Sequence, residues 1–361
     1  MKIVDMHCDT ISRLLELEEK EMQEGLLENT GHLDLRRMKQ SGYLLQNFAL
    51  FVELVQGRDP WEQVLKLYEC YGCEMEKNQD LIAPVLRFED IAANEEAGRM
   101  SALLTVEEGA VCEGELEKLE KLYDMGVRML TLTWNFPNEL GYPNRVSALT
   151  EKVQMLRKQL REYPAESAEY QAFYAQAWPV FDEYLHTPNV TEGLTERGRE
   201  FVARMEELGM IPDVSHLSDG GFYDVLAVTR KPFAASHSNA RAVCPNVRNM
   251  TDDMIRKLAE RGGVMGLNYC ADFLEEMPAG RKNPGTVAAV VRHARHIVNV
   301  GGIGVLGLGS DFDGIPIHEE LPGAESLGRL WDALKAAGFT ERELDLVFCG
   351  NVLRVYHDTL K

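Results

Sequence analysis

Short apolar segments alternate with longer amphipathic segments along most of the chain. Most of the apolar segments lack polar alternation, which is typical of strands buried on both faces of a parallel sheet. The amphipathic segments between them have the spacing of helices. The pattern predicts eight strands, at Ile3–His7, Leu44–Val52, Ala102–Glu107, Arg128–Trp134, Ile211–His216, Phe233–His237, Gly263–Tyr269 and Gly304–Asp311. Eight strands with helical connections indicate an α/β fold, a (β/α)8 TIM-type barrel.

One connection is longer than a minimal barrel needs. Residues 137–190 follow the fourth predicted strand and contain two helical patterns, Ser147–Glu162 and Ala165–His186. Seven aromatic residues between Tyr163 and Tyr184 indicate packing rather than disorder. We interpret the segment as a helical insertion in a single hydrolase domain that spans residues 1–361. It either shapes the pocket on the active-site face of the barrel or forms a peripheral helical pair.

Composition excludes several classes of function. Acidic residues outnumber basic ones by 58 to 38, for a net charge of -20, which disfavours nucleic acid as a partner. The chain has no apolar run of about 18 residues, so we expect no membrane span. Seven scattered cysteines and the lack of a secretory signal at the N-terminus predict reduced thiols and a cytoplasmic location.

Candidate metal ligands stand where the predicted strands end. His7 and Asp9 lie two residues apart, so a strand would direct both side chains to one place. The third, fifth and sixth predicted strands end at Glu107, His216 and His237. The carboxyl ends of barrel strands meet at one face, and imidazole and carboxylate are ligands for divalent metals such as zinc.

Five ligands are too many for one tetrahedral zinc with an open position. They suit two metals that together polarise a carbonyl and activate water. Glu107 is the best bridge between the metals, while Glu108 would point elsewhere and serve as a supporting or surface group. Asp311 ends the last predicted strand and is a candidate for proton transfer to a leaving amine. By contrast, His293 and His296 share a helical pattern that we interpret as a solvated face.

These residues, in this order, resemble the renal or membrane dipeptidase family, a zinc peptidase branch of the amidohydrolase superfamily. The resemblance covers almost the whole chain. It is carried by the segments Val4–Thr10, Gly31–Leu35 with Gln46, Thr105–Glu107, Gly126–Thr133, Gly193–Thr195 with Gly198, Leu208–Met210, Asp213–His216, Ser236–Ser238 with Val243–Cys244 and Arg248–Asn249, Gly309–Gly314 and Gly350–Val355.

The resemblance implies a set of roles. His7, Asp9 and Glu107 would hold one zinc ion. Glu107, His216 and His237 would hold the second, so that each chain binds two Zn2+ bridged by Glu107. Asp311 would be the acid/base.

Arg248 would bind the free carboxylate of a dipeptide, in keeping with the geometry of guanidinium and carboxylate. The resemblance further implies tolerance of a C-terminal D-residue, some activity on dehydropeptides and a homodimer.

One position departs from the family pattern. Better-known members carry a histidine after the Thr-Leu-Thr of the fourth strand, where it helps to bind substrate and to polarise the reacting carbonyl. Here that position is Trp134, whose indole N–H donates a hydrogen bond but cannot ligate a metal. The departure affects the substrate-binding wall and leaves all five metal ligands in place.

The sequence predicts a metallo-dipeptidase and leaves two alternatives. One is another amidohydrolase reaction, such as N-acyl amino acid deacylation or hydrolysis of a lactone or phosphoester. The other is a barrel that retains metals without catalysis, with Trp134 marking the lost chemistry. Arg248 favours a substrate that carries a carboxylate.

Overall fold

The computed structural model describes residues 1–164, 167–276, 283–316 and 318–361. Nine strands lie in these ranges, all paired in parallel: β1 Ile3–Asp5, β2 Tyr43–Phe51, β3 Ile82–Pro84, β4 Met100–Glu107, β5 Val127–Thr131, β6 Ile211–Asp213, β7 Ala234–Ala235, β8 Val264–Leu267 and β9 Leu306–Leu308. All except β3 form a closed barrel, in which β2 pairs with both β1 and β4. The predicted TIM-type fold is confirmed.

The strand β3 was missed in the sequence. It pairs with Met100–Ala102 at the start of β4, and β5 takes over as the partner of β4 from Leu104 onward. A segment of three residues is too short to show a hydrophobic period, and Pro84 within it argues against a strand in the middle of a sheet. The extra strand leaves the eight-stranded barrel unchanged.

Fifteen helices lie in the described ranges: α1 Thr10–Glu19, α2 Leu35–Ser41, α3 Pro60–Lys77, α4 Glu89–Glu96, α5 Leu116–Asp124, α6 Ser147–Leu160, α7 Ala168–His186, α8 Glu196–Leu208, α9 Asp219–Val228, α10 Asp252–Glu260, α11 Ala271–Leu274, α12 Val287–Gly301, α13 Leu327–Ala336, α14 Glu341–Asp345 and α15 Asn351–Thr359. A large apolar core joins the strands to this layer. Among the described residues, no helix combines the length and the apolar character needed to cross a bilayer.

A second, smaller core fills the inside of the barrel. Leu103 of β4 and Met129 of β5 belong to it, together with Tyr356 of α15. The Tyr356 hydroxyl donates a hydrogen bond of 2.8 Å to the Asn47 side chain on β2. Because Leu103 and Glu107 are four residues apart on one strand, they share its inner face. Glu107 therefore lies at the carboxyl end of the strand, next to this apolar core.

Several strands end earlier than the sequence predicts. Strand β6 ends at Asp213 and β9 at Leu308, three residues before the predicted ends at His216 and Asp311. His216 and Asp311 have φ angles of 67° and 63°. This left-handed conformation costs about 1 kcal/mol for a residue other than glycine and cannot continue a strand. The chain thus leaves the barrel ladder just before these two side chains.

The long connection after β5 forms the helices α6 and α7. Residues 165 and 166, the predicted start of the second helix, lie outside the described residues. The two helices pack on each other through a core of their own, which includes Leu149 and Val153 of α6 and Phe181 and Tyr184 of α7. The predicted helical insertion is thus present as a packed pair.

The interpretation of His293 as solvated was wrong. Its side chain is fully buried, where Nδ1 accepts a hydrogen bond from Ala240 N at 3.0 Å and Nε2 donates one to Leu274 O at 3.0 Å. Burial is the main cause that lowers the pKa of His293 to about 4. His296, three residues further along the same helix, is partly exposed and forms a hydrogen bond with Asp252. Two histidines three residues apart cannot be separated into core and surface by periodicity alone.

Candidate metal centre

The five predicted ligands lie together at the carboxyl ends of the barrel strands. Glu107 is the last residue of β4, and the other four follow the ends of β1, β6 and β7. All five are buried, with the most exposed, His216, at 8 %. Asp9 precedes α1 as its N-cap residue, so it meets His7 through a turn and not through strand alternation. The predicted meeting of the two side chains holds, but the reason given for it was wrong.

Their donor atoms fall into two sets that share Glu107. In the first set, His7 Nε2 lies 3.3 Å from Asp9 Oδ2 and 3.3 Å from Glu107 Oε2. In the second set, Glu107 Oε1 lies 3.2 Å from His216 Nε2 and 3.5 Å from His237 Nε2. Within each set the candidate donor atoms all lie within 4.8 Å of one another. The two carboxylate oxygens of Glu107 therefore face two different groups of ligands.

A third grouping connects the two sets. Asp311 joins His7 and His237 in a cluster of donor atoms within 4.8 Å, and its Oδ1 lies 3.8 Å from His7 Nε2. The rings of His7 and His237 stack with their centroids 3.9 Å apart. Asp311 is thus positioned beside both sets.

Orphaned donor atoms indicate that these residues fit metal ions. His7 Nε2 and Asp9 Oδ1 are buried and have no hydrogen-bond partner among the described residues. His216 Nε2 and His237 Nε2 face each other at 3.1 Å. Nitrogen and carboxylate donors that converge in this way suit zinc and other divalent transition metals.

Electrostatics favours the same interpretation. Burial raises the pKa of Asp9 to about 7, with further contributions from the charges of Glu107 and Asp311. Burial also lowers the pKa of His216 to about 3 and that of His237 well below its usual range, so both imidazoles are neutral and offer a lone pair. His7 differs from them: burial alone would lower its pKa, but the charges of Glu107 and Asp9 outweigh burial and hold the pKa of His7 well above its usual range. A cation bound between these carboxylates would supply the positive charge that the His7 proton supplies here.

Hydrogen bonds hold both imidazoles with Nε2 toward the centre. His216 Nδ1 donates to Asn135 Oδ1 at 3.2 Å. His237 Nδ1 donates to Ser236 Oγ at 2.7 Å, and that hydroxyl donates to Asp213 Oδ2 at 2.5 Å. Such supporting contacts fix the tautomer of a metal-binding histidine. Sequence reasoning gave no role to Asn135, Ser236 or Asp213. For Ser236 and Asp213, the only signal in the sequence was their position close to predicted ligands.

Asp311 combines burial with an anchored carboxylate. Its Oδ2 accepts a hydrogen bond from Asn268 Nδ2 at 2.8 Å. Burial raises the pKa of Asp311, and the charge of Glu107 adds to this, while His7 and the bond from Asn268 act in the opposite direction. A carboxyl group with a raised pKa is suited to both accepting and releasing a proton near neutral pH.

Arg248 is a buried cation with free donors. Its Nη2 donates to His237 O at 3.3 Å, and its guanidinium lies 5.4 Å from the centre of the Phe273 ring. Nε and Nη1 are buried without a partner among the described residues. Burial lowers the pKa of Arg248 to about 10, so it stays charged at neutral pH.

Trp134 stands on the wall next to His216. Its ring centroid lies 4.9 Å from that of Phe51 and 6.2 Å from that of His216. Its backbone N–H donates to Glu108 Oε2 at 3.2 Å, and Glu108 is fully buried. The alternative of Glu108 as a surface group is therefore wrong: it supports the loop that carries Trp134.

Many of these groups line one cleft of about 370 Å³, a volume typical of small-molecule sites. Asp9, Glu107, His216 and Asp311 line its floor. Trp134 and Arg248 line its walls. The cleft therefore places a guanidinium and an aromatic ring beside a candidate two-metal centre.

Comparison with known proteins decides the family. The family model described as membrane dipeptidase (peptidase family M19) matches residues 1–155 and 165–361. The chain belongs to the membrane dipeptidase family. Members of this family are metallopeptidases that act on dipeptides, and the protein is accordingly a metallo-dipeptidase. The resemblance noted in the sequence is confirmed.

Individual relatives agree with this assignment. An uncharacterised dipeptidase of Schizosaccharomyces pombe is 29% identical over 99% of this chain and 80% of its own length. Dipeptidase 3 of Mus musculus is 27% identical over 98% of this chain and 64% of its own length.

Solved structures of the family superpose over the whole chain. A crystal structure titled dipeptidase AC, of family M19, has a TM-score of 0.82 at 26% identity and covers 100% of this chain and 99% of the other. A metallopeptidase from Rhodobacter sphaeroides has a TM-score of 0.80 at 25% identity, with 99% of each chain covered. That protein was crystallised with a phosphinate mimic of the dipeptide L-Ala-D-Ala.

Proposed function

We propose that the protein is a binuclear zinc dipeptidase that hydrolyses dipeptides with a free C-terminal carboxylate. The observation that carries this proposal is the shared position of Glu107 between two ligand sets, with the unpartnered guanidinium of Arg248 in the same cleft. The two zinc ions are assigned to His7, Asp9 and Glu107 and to Glu107, His216 and His237. When bound, such a pair of cations supplies Lewis-acid polarisation of the amide carbonyl and lowers the pKa of water.

Asp311 is the proposed acid/base. It faces the floor through Oδ1, 3.8 Å from His7 Nε2, while Asn268 holds Oδ2. In this position Asp311 accepts a proton from the attacking water and delivers it to the leaving amino group. The proposed catalytic groups are therefore Asp311 and Glu107, the latter through its place between the two ligand sets.

Arg248 is the proposed anchor of the substrate. Its buried Nε and Nη1 are available for two parallel hydrogen bonds to a carboxylate. A buried guanidinium without an anion carries a desolvation cost that a bound carboxylate offsets. This role selects dipeptides over their C-terminal amides.

Acceptance of a C-terminal D-residue is part of the proposal. Its support is the phosphinate mimic of L-Ala-D-Ala bound to the Rhodobacter sphaeroides relative. Trp134 is proposed to contact the substrate, because it lines the cleft beside His216. We further propose a cytoplasmic location, on the pattern of cysteines in the sequence, and a homodimer, on the resemblance alone.

The test is turnover of a panel of substrates by protein loaded with two equivalents of zinc per chain. The panel contains L,L and L,D dipeptides, N-acetyl amino acids and a simple lactone, with Asp311→Asn as the control for contaminating activity. We expect hydrolysis of dipeptides of both configurations and little turnover of the other compounds. Turnover of only the N-acetyl amino acids or the lactone would contradict the proposal in favour of another amidohydrolase reaction.

A further inference from the structure

A second arginine of the cleft has no role in the function proposed above. Arg145 lies between β5 and α6 and is only 7 % exposed. Its Nε and Nη1 are buried and have no hydrogen-bond partner among the residues that the structure describes. Its guanidinium stacks over the Tyr184 ring at 4.3 Å, and burial lowers its pKa. Arg145 is thus a fixed cation with unused donors.

Arg145 faces the same cleft as Arg248. Both residues line it, together with His216. The backbone N–H of the preceding residue, Asn144, donates to His216 O at 2.7 Å, which places this segment next to the second ligand set. Consistent with this proximity, the charge of Arg145 adds to the effect of burial in lowering the pKa of Arg248.

Two neighbouring buried cations require more than one anionic group. Like charges in a medium of low dielectric constant repel, and each guanidinium has lost its hydration. Among the described residues, no carboxylate accepts a hydrogen bond from Nε or Nη1 of either guanidinium. A single substrate carboxylate at Arg248 would leave Nε and Nη1 of Arg145 without acceptors. The pair of guanidiniums therefore suits a ligand with two carboxylates.

The helical insertion holds both arginines in place. Arg145 forms an isolated antiparallel bridge with Pro188, just after α7, and stacks on Tyr184 within that helix. The segment of Arg248 is tied to the same helix, because Val247 N donates to Leu185 O at 2.8 Å. The two cations are therefore fixed relative to each other by one helix, as a selective site requires.

We propose that Arg145 binds a second carboxylate of the substrate, so that the preferred dipeptides end in an acidic residue, glutamate or aspartate. This inference rests on the function proposed above. The acidic residue is the C-terminal one, because the free amino group of a dipeptide is a cation and the two guanidiniums repel it. Arg248 then takes the main-chain carboxylate and Arg145 the side-chain carboxylate.

The experiment compares substrates that differ only in this charge. Ala-Glu and Ala-Gln, each with an L- or D-configured C-terminal residue, are assayed with the zinc-loaded wild type and with Arg145→Gln. The matched control is Arg161→Gln, which removes an exposed arginine at the C-cap of α6 that does not line the cleft. Circular dichroism and zinc content show whether each variant is folded. Arg145→Lys, which keeps the charge, serves as a second variant.

We expect the wild type to hydrolyse Ala-Glu with a kcat/KM about tenfold to a hundredfold above that for Ala-Gln, the range for a charged hydrogen-bonded pair. In Arg145→Gln, kcat/KM for Ala-Glu should fall far enough to remove this preference, whereas kcat/KM for Ala-Gln should change less than about threefold. Arg161→Gln should keep the preference, and Arg145→Lys should keep part of it.

Three other results each have a distinct meaning. Hydrolysis of both dipeptides by the wild type without a preference for Ala-Glu overturns the inference and leaves the proposed dipeptidase function intact. Equal losses on both substrates in folded Arg145→Gln also overturn it, because Arg145 would then act on a group that both substrates share. Failure of the zinc-loaded wild type to hydrolyse any dipeptide rejects the proposed function itself, and the inference with it.

Discussion

Asn268 and Asp311 are joined by a hydrogen bond of 2.8 Å from the side-chain amide to Oδ2. The other carboxylate oxygen of Asp311, Oδ1, lies 3.8 Å from His7 Nε2. One oxygen is thus anchored by a hydrogen bond, while the other faces the candidate metal ligands. The orientation matters because a carboxyl group that transfers protons must present one defined oxygen to the reacting atoms.

Replacement of Asp311 by Asn should remove this proton transfer and keep the shape of the side chain. We expect kcat for a dipeptide to fall about 10²- to 10⁴-fold, the usual contribution of general acid–base catalysis. Zinc content and the urea midpoint should stay close to those of the wild type. Steady-state kinetics beside metal analysis makes the comparison, and equal kcat in the two proteins would remove Asp311 from the mechanism.

The loss of activity in Arg248→Ala should depend on the C-terminal group of the substrate. For a dipeptide with a free carboxylate, kcat/KM should fall about tenfold to a hundredfold, because a charged hydrogen-bonded pair is lost. The matching dipeptide amide, which we expect to be a poor substrate of the wild type, should lose much less. Kinetics on the two substrates measures this difference. Losses of the same size on both would argue against Arg248 as the carboxylate anchor.

Asn135→Ala should weaken metal binding at the set that contains His216. The variant removes the acceptor of the His216 Nδ1–H bond, and loss of such a supporting contact lowers metal affinity about 10- to 100-fold. Competition with a chromophoric chelator measures the affinity of each of two zinc ions. Ser12→Ala, which also lines the cleft, is the control and should bind both ions normally. Unchanged affinities in Asn135→Ala would contradict the assignment.

His293 should make the fold sensitive to acid. Burial lowers its pKa to about 4 from the usual 6.5, so below pH 6.5 the unfolded chain binds a proton that the folded chain does not. The contribution of His293 to stability is therefore complete above pH 6.5 and is lost as the pH falls toward 4. Between pH 7 and pH 5 it should reduce the free energy of unfolding by about 2 kcal/mol.

Urea unfolding at both pH values measures this loss in the wild type and in His293→Gln, which has no titrating group at that position. The variant should lack about 2 kcal/mol of the pH dependence. His357→Gln, at an exposed histidine, should behave as the wild type does. An unchanged pH dependence in His293→Gln would show that His293 is not the acid-sensitive group.

Residues that lie at the ends of apolar segments were the ones that the sequence predicted best. His7, Glu107 and His237 each follow or end a buried strand, and a barrel brings such positions together whatever the details of its loops. The sequence did not predict the exact ends of the strands, because His216 and Asp311 adopt a left-handed backbone that no hydrophobic pattern reveals.

The supporting residues of the cleft depend on contacts between distant segments. Asn135 meets His216 across 81 positions of the chain, and Arg145 reaches the cleft from the end of a loop. Nothing in the local sequence around either residue distinguishes it from an ordinary surface residue. Such positions become visible only when the packing of the loops is known.

The two ends of the cleft are held by different parts of the fold. The candidate metal ligands stand at the ends of barrel strands, whereas Arg145 and Arg248 are both tied to a helix that the barrel itself does not require. With the role proposed for Arg145, we expect that exchange of the segment 137–190 between family members would transfer the preference for the C-terminal side chain and leave the candidate metal ligands unchanged.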